Sequence, residues 1–254
     1  MSKLLVANWK MNPQTAAEAV RLARAEDAKG VVVCPPFVYI SSIKREVSRA
    51  KVGAQDVFWE PRGAYTGEVS PAMLKKLGVE YVIIGHSERR AQGETDTMVN
   101  KKVAAALRAH LRVILCVGES KRESGSRNYE LRKAQNYVKV QLKRDLNGIH
   151  NSKFKIHNSL IIAYEPVWAI STARSAKSQD NADTPENALL MIKFIKGVTR
   201  QVSDVRCRVL YGGSVTSQNA ASFLHYRDVG GALVGGASLR ADDFKKIIKT
   251  TKTL

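Results

Sequence analysis

Short apolar runs rich in valine and isoleucine alternate with amphipathic stretches from one end of the chain to the other. An apolar run of about four to eight residues suits a buried strand, and apolar positions recurring at helical spacing suit a helix with one covered face. On this pattern strands are predicted at Leu4–Trp9, Val31–Cys34, Val52–Gln55, Tyr81–Gly85, Arg112–Val117, Leu160–Glu165, Arg206–Tyr211 and Gly231–Val234. The clearest helices are predicted at Thr15–Glu26, Thr95–Ala109, Tyr129–Leu146 and Pro185–Val202. The last of these opens on Thr184-Pro185-Glu186-Asn187, a capping hydroxyl followed by proline at the first helical position.

Runs such as Tyr81-Val82-Ile83-Ile84 are continuously apolar rather than alternating, which marks a parallel sheet covered on both faces. Repeated strand-then-helix units make either an open doubly wound sheet or a closed barrel, and periodicity does not separate the two. No linker or shift in composition divides the 254 residues, so one domain is expected, with a long polar loop at Ser171–Asp183. No stretch of about 18 apolar residues occurs and Met1–Val6 does not open a leader peptide, so a soluble cytoplasmic protein is expected.

Composition adds two points. Cys34, Cys116 and Cys207 are scattered, odd in number and set in or beside apolar runs, as expected of reduced thiols packed like small apolar residues rather than of metal ligands. The formal net charge of +18 is unusual. The lysines and arginines are nevertheless spread along the whole chain with no separate basic tail, which favours a solvated basic surface over a nucleic-acid site.

In either parallel architecture the functional groups belong just past the carboxyl ends of the strands. Those positions hold Asn8-Trp9-Lys10-Met11-Asn12, Gly85-His86-Ser87-Glu88-Arg89-Arg90, Tyr164-Glu165-Pro166-Val167-Trp168, Tyr211-Gly212-Gly213-Ser214 and Gly235-Gly236-Ala237-Ser238. A base, an electrophile, a cation and two glycine-rich anion sites thus converge on one face. Taken together and in this order, these runs resemble the triosephosphate isomerase family over nearly the whole chain.

That resemblance implies a single-domain eight-stranded parallel (β/α)8 TIM barrel. It implies a cofactor-free, metal-independent isomerase interconverting dihydroxyacetone phosphate and D-glyceraldehyde 3-phosphate in glycolysis and gluconeogenesis. Glu165 is then the base and His86 the electrophile, with Ser87 able to cap a short helix whose positive end faces the imidazole. Lys10 is the active-site cation, Asn8 orients it and touches substrate, and Glu88 is its acidic neighbour. Phosphate is expected at Ser171, Ser214, Gly235 and Gly236, where backbone amides are open to an anion. Arg89 and Arg90 are expected to be structural.

The chain departs from the family pattern in the lid, with Ser171 and Ala173 at two usual glycine positions, Arg174 for a lysine, and an insertion around Lys177–Asp183. Gln55–Glu68 resembles the family's third loop, which reaches into a neighbouring subunit. A homodimer through Tyr65, Thr66 and Gly67 is therefore implied. Rival readings are a barrel that binds anions or nucleic acid without turnover, and a different sugar-phosphate enzyme on the same scaffold.

Overall fold

The computed structural model describes residues 2–120, 127–150, 156, 158–170 and 183–254. Eight strands run in parallel: β1 Leu4–Asn8, β2 Val31–Cys34, β3 Lys51–Ala54, β4 Tyr81–Ile84, β5 Arg112–Val117, β6 Leu160–Tyr164, β7 Arg208–Tyr211 and β8 Gly231–Val234. Each pairs with the next, and β8 returns to β1 in the register Leu5↔Ala232 and Val6↔Leu233, so the sheet closes on itself. Closure removes both sheet edges.

The helices described are α1 Ala16–Glu26, α2 Ile40–Glu46, α3 Pro71–Lys76, α4 Ser87–Ala91, α5 Asp96–Arg108, α6 Arg127–Asp145, α7 Pro185–Ser203, α8 Ala220–Leu224 and α9 Ala241–Thr253. Local chemistry sets their starts. Thr15, Thr95 and Thr184 each accept a hydrogen bond from the backbone N–H three residues on, satisfying a donor the helix itself leaves open. Asp204 in the left-handed region closes α7.

The strand alternation sorts side chains into two layers. Leu4, Val6, Val32, Tyr81, Ile83, Ile114, Ile161, Leu210 and Leu233 fill the barrel interior. Leu5, Ala7, Val31, Val33, Val82, Ile84, Val113, Leu115 and Ile162 point outward and pack with Ala19, Leu22, Met191, Ile192 and Phe244 of the helices. This is why the strands read as continuous apolar runs: both faces are covered.

Strand ends differ from the sequence expectation by a residue or two. Trp9, Gly85 and Glu165 lie just beyond the ladder, and β1 and β4 stop where Lys10 and Gly85 turn to φ 54° and 72°. Arg206 and Cys207 belong to the connection before β7. Cys34 and Cys116 are buried, Cys207 is half-buried, and all three are free thiols. Among the described residues no helix is long and apolar enough to cross a membrane.

Candidate active site

The barrel's carboxyl end gathers side chains that are far apart in the chain. At the end of β1, Asn8 Oδ1 accepts the backbone N–H of Lys10 at 3.0 Å, and Lys10 takes a left-handed backbone. Such a conformation is unfavourable for a residue with a side chain unless its surroundings impose it. Gln55, just past β3, supplies much of that constraint: its amide donates to the carbonyls of Lys10 at 2.8 Å and Cys34 at 2.9 Å. The Lys10 ammonium pairs with Glu88 Oε1 at 2.6 Å. Its aliphatic stem runs past Gly235, where a Cβ would stand 3.3 Å from Lys10 Cε.

At the end of β4, His86 itself caps α4. Its Nδ1 accepts the backbone N–H of Glu88 at 3.2 Å. The cap expected of Ser87 therefore passes to His86, because the extended backbone of His86 turns the imidazole over the first turn. Accepting at Nδ1 leaves the ring proton on Nε2, as in a neutral imidazole. Nε2 lies 3.1 Å from Glu165 Oε1. Ser87 takes a different part, donating its backbone N–H to Glu165 Oε2 at 3.0 Å. Arg89 pairs with Asp56, while Arg90 donates to the Gly85 carbonyl at 2.8 Å and pairs with Asp96 and Asp145, a structural use of both arginines.

Glu165 follows β6 and is 2% exposed. Its N–H bonds the Val117 carbonyl at 2.8 Å, and its backbone passes directly over Gly118, where a side chain would collide with it. Pro166 holds the residue before it extended. The next turn, Val167–Ala169, hangs on Glu119: Oε1 accepts from Trp168 Nε1 at 2.7 Å and from the Tyr164 hydroxyl at 3.0 Å, and the Glu119 carbonyl accepts the Val167 N–H. Burial pushes the Glu119 carboxyl up to about 6 against the lowering effect of these hydrogen bonds.

Lys10, His86, Glu165, Ser214, Gly235 and Gly236 line one cavity of about 170 Å³. Asn219 shapes its β7 side, donating to the Ser214 carbonyl at 2.9 Å and accepting the Thr216 N–H at 2.8 Å. After β8 the chain enters a 3₁₀ turn at Gly236–Leu239. A second cleft of about 370 Å³ shares Asn8, Lys10 and His86 and extends over Met11, Arg89 and Gly67. Ser171, Ala173, Arg174 and all of the insertion except Asp183 lie outside the described residues. Among the described residues no three His, Cys, Asp or Glu side chains gather as a metal site would require.

A carboxylate, an imidazole whose Nε2 faces it and a cation therefore share one chamber of about 170 Å³ beside a glycine-rich wall. That arrangement can move a proton between adjacent carbons while countering oxyanion charge. Sequence reasoning missed Gln55, Gly118 and Glu119. The signal for all three is position, since each lies within two residues of the end of β3 or β5.

The family model described as triosephosphate isomerase matches residues 3–251. A triosephosphate isomerase of Caldanaerobacter subterraneus subsp. tengcongensis is 44% identical, covering 96% of this chain and 98% of its own. Those of Dictyoglomus turgidum and Aquifex aeolicus are 41% and 39% identical, each covering 98% of this chain and 99% of their own. With match and geometry extending over nearly the whole length, the chain belongs to the triosephosphate isomerase family.

Proposed function

We propose that this chain interconverts dihydroxyacetone phosphate and D-glyceraldehyde 3-phosphate, and that the chamber at the barrel's carboxyl end carries the reaction. The observation that carries it is the pairing of buried Glu165 with His86 Nε2 at 3.1 Å while His86 Nδ1 accepts from the start of α4. Substrate entering between these two groups meets a base on one side and a neutral N–H donor on the other.

In this mechanism Glu165 takes a proton from substrate C1, and the C–H electron pair forms the C1–C2 double bond of an enediolate. His86 Nε2–H stabilises the oxygen that gains charge and passes protons between the two oxygens. Glu165 then returns its proton at C2, so atoms and charge balance without a cofactor. Lys10, oriented by Asn8 and Glu88, offsets the negative charge of enediolate and phosphate. Ser214, Gly235 and Gly236 offer backbone amides to the phosphate, and Ser171 of the lid adds another.

The same reading makes the protein a cytoplasmic homodimer serving glycolysis and gluconeogenesis. In this reading a second copy's Tyr65-Thr66-Gly67 loop docks at the cleft that continues from the chamber past Met11, which is 85% exposed.

A coupled assay with each triose phosphate tests the activity. Wild-type protein is expected to turn over both, and Glu165→Gln to keep its fold and its affinity for a phosphate-bearing enediolate mimic while losing about 10²–10⁴-fold in rate. Absence of wild-type turnover refutes the function, and near-normal turnover by Glu165→Gln removes Glu165 as the base.

A further inference from the structure

Glu26, the last residue of α1, is completely buried between helix and barrel. Its Oε2 accepts the indole N–H of Trp9 at 3.1 Å, and its Oε1 has no hydrogen-bond partner. Burial holds its carboxyl well above the usual carboxylate range, with the Trp9 hydrogen bond only partly opposing that shift. An apolar side chain of similar volume fills such a place without an orphaned oxygen, so packing alone gives no reason for a glutamate here.

Its reason lies in the neighbour it holds. Trp9 is itself fully buried and points outward into the helix layer, while the next residue, Lys10, turns the other way into the chamber with φ 54°. Asn8 and Gln55 fix the Lys10 peptide groups from the barrel side. The Trp9 N–H bonds the Cys34 carbonyl at 3.2 Å, and the Trp9 indole is tied down at its far end by Glu26. A left-handed lysine persists only when its surroundings over-determine it. The Lys10 ammonium has little latitude, since its stem runs against Gly235 and its head sits 2.6 Å from Glu88.

We propose that Glu26 is a positioning residue for Lys10, acting through the indole of Trp9 to hold the strand end that aims the ammonium into the chamber. This rests on the part given to Lys10 above. Glu26 touches no substrate; its effect reaches the chamber through one side chain and one peptide.

The test compares Glu26→Gln, which keeps an acceptor oxygen, with Glu26→Met, which fills the volume without one, and with Trp9→Phe, which removes the donor. Steady-state kinetics with dihydroxyacetone phosphate, calorimetric binding of inorganic phosphate and thermal unfolding are measured for each. Glu26→Met is expected to lower kcat/KM roughly tenfold, because small displacements of a charged group are costly in rate. Most of that loss should appear in KM, accompanied by weaker phosphate binding. Glu26→Gln should stay within about twofold of wild type, since it can still accept from the indole. Trp9→Phe should reproduce the loss, and combining it with Glu26→Met should add nothing further.

A Glu26→Met protein that melts earlier with unchanged KM and phosphate affinity overturns the proposal and leaves Glu26 a purely structural residue. Should Glu26→Met fail to fold, Trp9→Phe decides alone, and wild-type phosphate affinity in that variant overturns it. Phosphate binding requires no turnover. Wild-type protein inert towards triose phosphates therefore sinks the function, whereas phosphate affinity insensitive to both Glu26→Met and Trp9→Phe sinks the positioning.

Discussion

Gly118→Ala offers a sharp test of how the base is placed. Gly118 follows β5, and a Cβ there would stand 2.5 Å from the Glu165 carbonyl carbon and 3.2 Å from its Cα. Comfortable carbon–carbon contact is about 3.5–4.0 Å, so the Glu165 backbone must retreat by about 1 Å. It has few ways to do so, since its N–H is bonded to the Val117 carbonyl and Pro166 restricts its backbone. A misplacement of about 1 Å costs on the order of 10²-fold in rate, or roughly 2.7 kcal/mol of barrier. The overpacking itself should lower stability by about 1–3 kcal/mol. The coupled assay reads the first effect and thermal unfolding the second. Gly197→Ala is the control: Gly197 lies inside α7 with nothing within 4 Å of a built Cβ. That change should leave kcat alone and stabilise by about 0.5–1 kcal/mol. A kcat for Gly118→Ala within about threefold of wild type, in a folded protein, refutes this account of the base's position.

Two further outcomes are expected. Burial raises the Glu119 carboxyl to about 6 from its ordinary 4.5, so the folded chain binds the extra proton; stability is full below about 4.5 and falls by about 2 kcal/mol as pH rises through 6. Glu119→Gln should flatten that part of the curve of unfolding free energy against pH, and an unchanged slope excludes Glu119 as its source. Shortening Tyr65–Glu68 should convert a dimer to monomers with impaired catalysis; light scattering that finds the native chain monomeric at full activity ends the dimer reading.

Much of the site was legible before any coordinates. Asn8, Lys10, His86, Glu165, Ser214, Gly235 and Gly236 stand together at one cavity, because each ends or follows a strand whose apolar run is visible in the sequence. Glu88 pairs with Lys10 as expected. The cap on α4 was not legible, since a serine after a histidine suggests the serine, and only the extended backbone of His86 brings its own Nδ1 to the Glu88 N–H.

What the sequence determines here is local. Strand positions, the threonine caps of α1, α5 and α7, and the order of motifs along the chain depend on neighbours within a few residues. What the tertiary structure decides is reciprocal. Closure of the barrel requires β8 to find β1, residues more than two hundred positions away, and no periodicity encodes that pairing. The same is true of Gln55 holding Lys10, of Gly118 leaving room for Glu165, of Glu119 anchoring Trp168, and of Glu26 bonding Trp9. Each of these residues reads in isolation as an ordinary polar or small residue. Its meaning comes from the group facing it across two strands or from the helix layer, because a buried hydrogen bond or steric contact is a property of a pair, and folding alone brings the pair together.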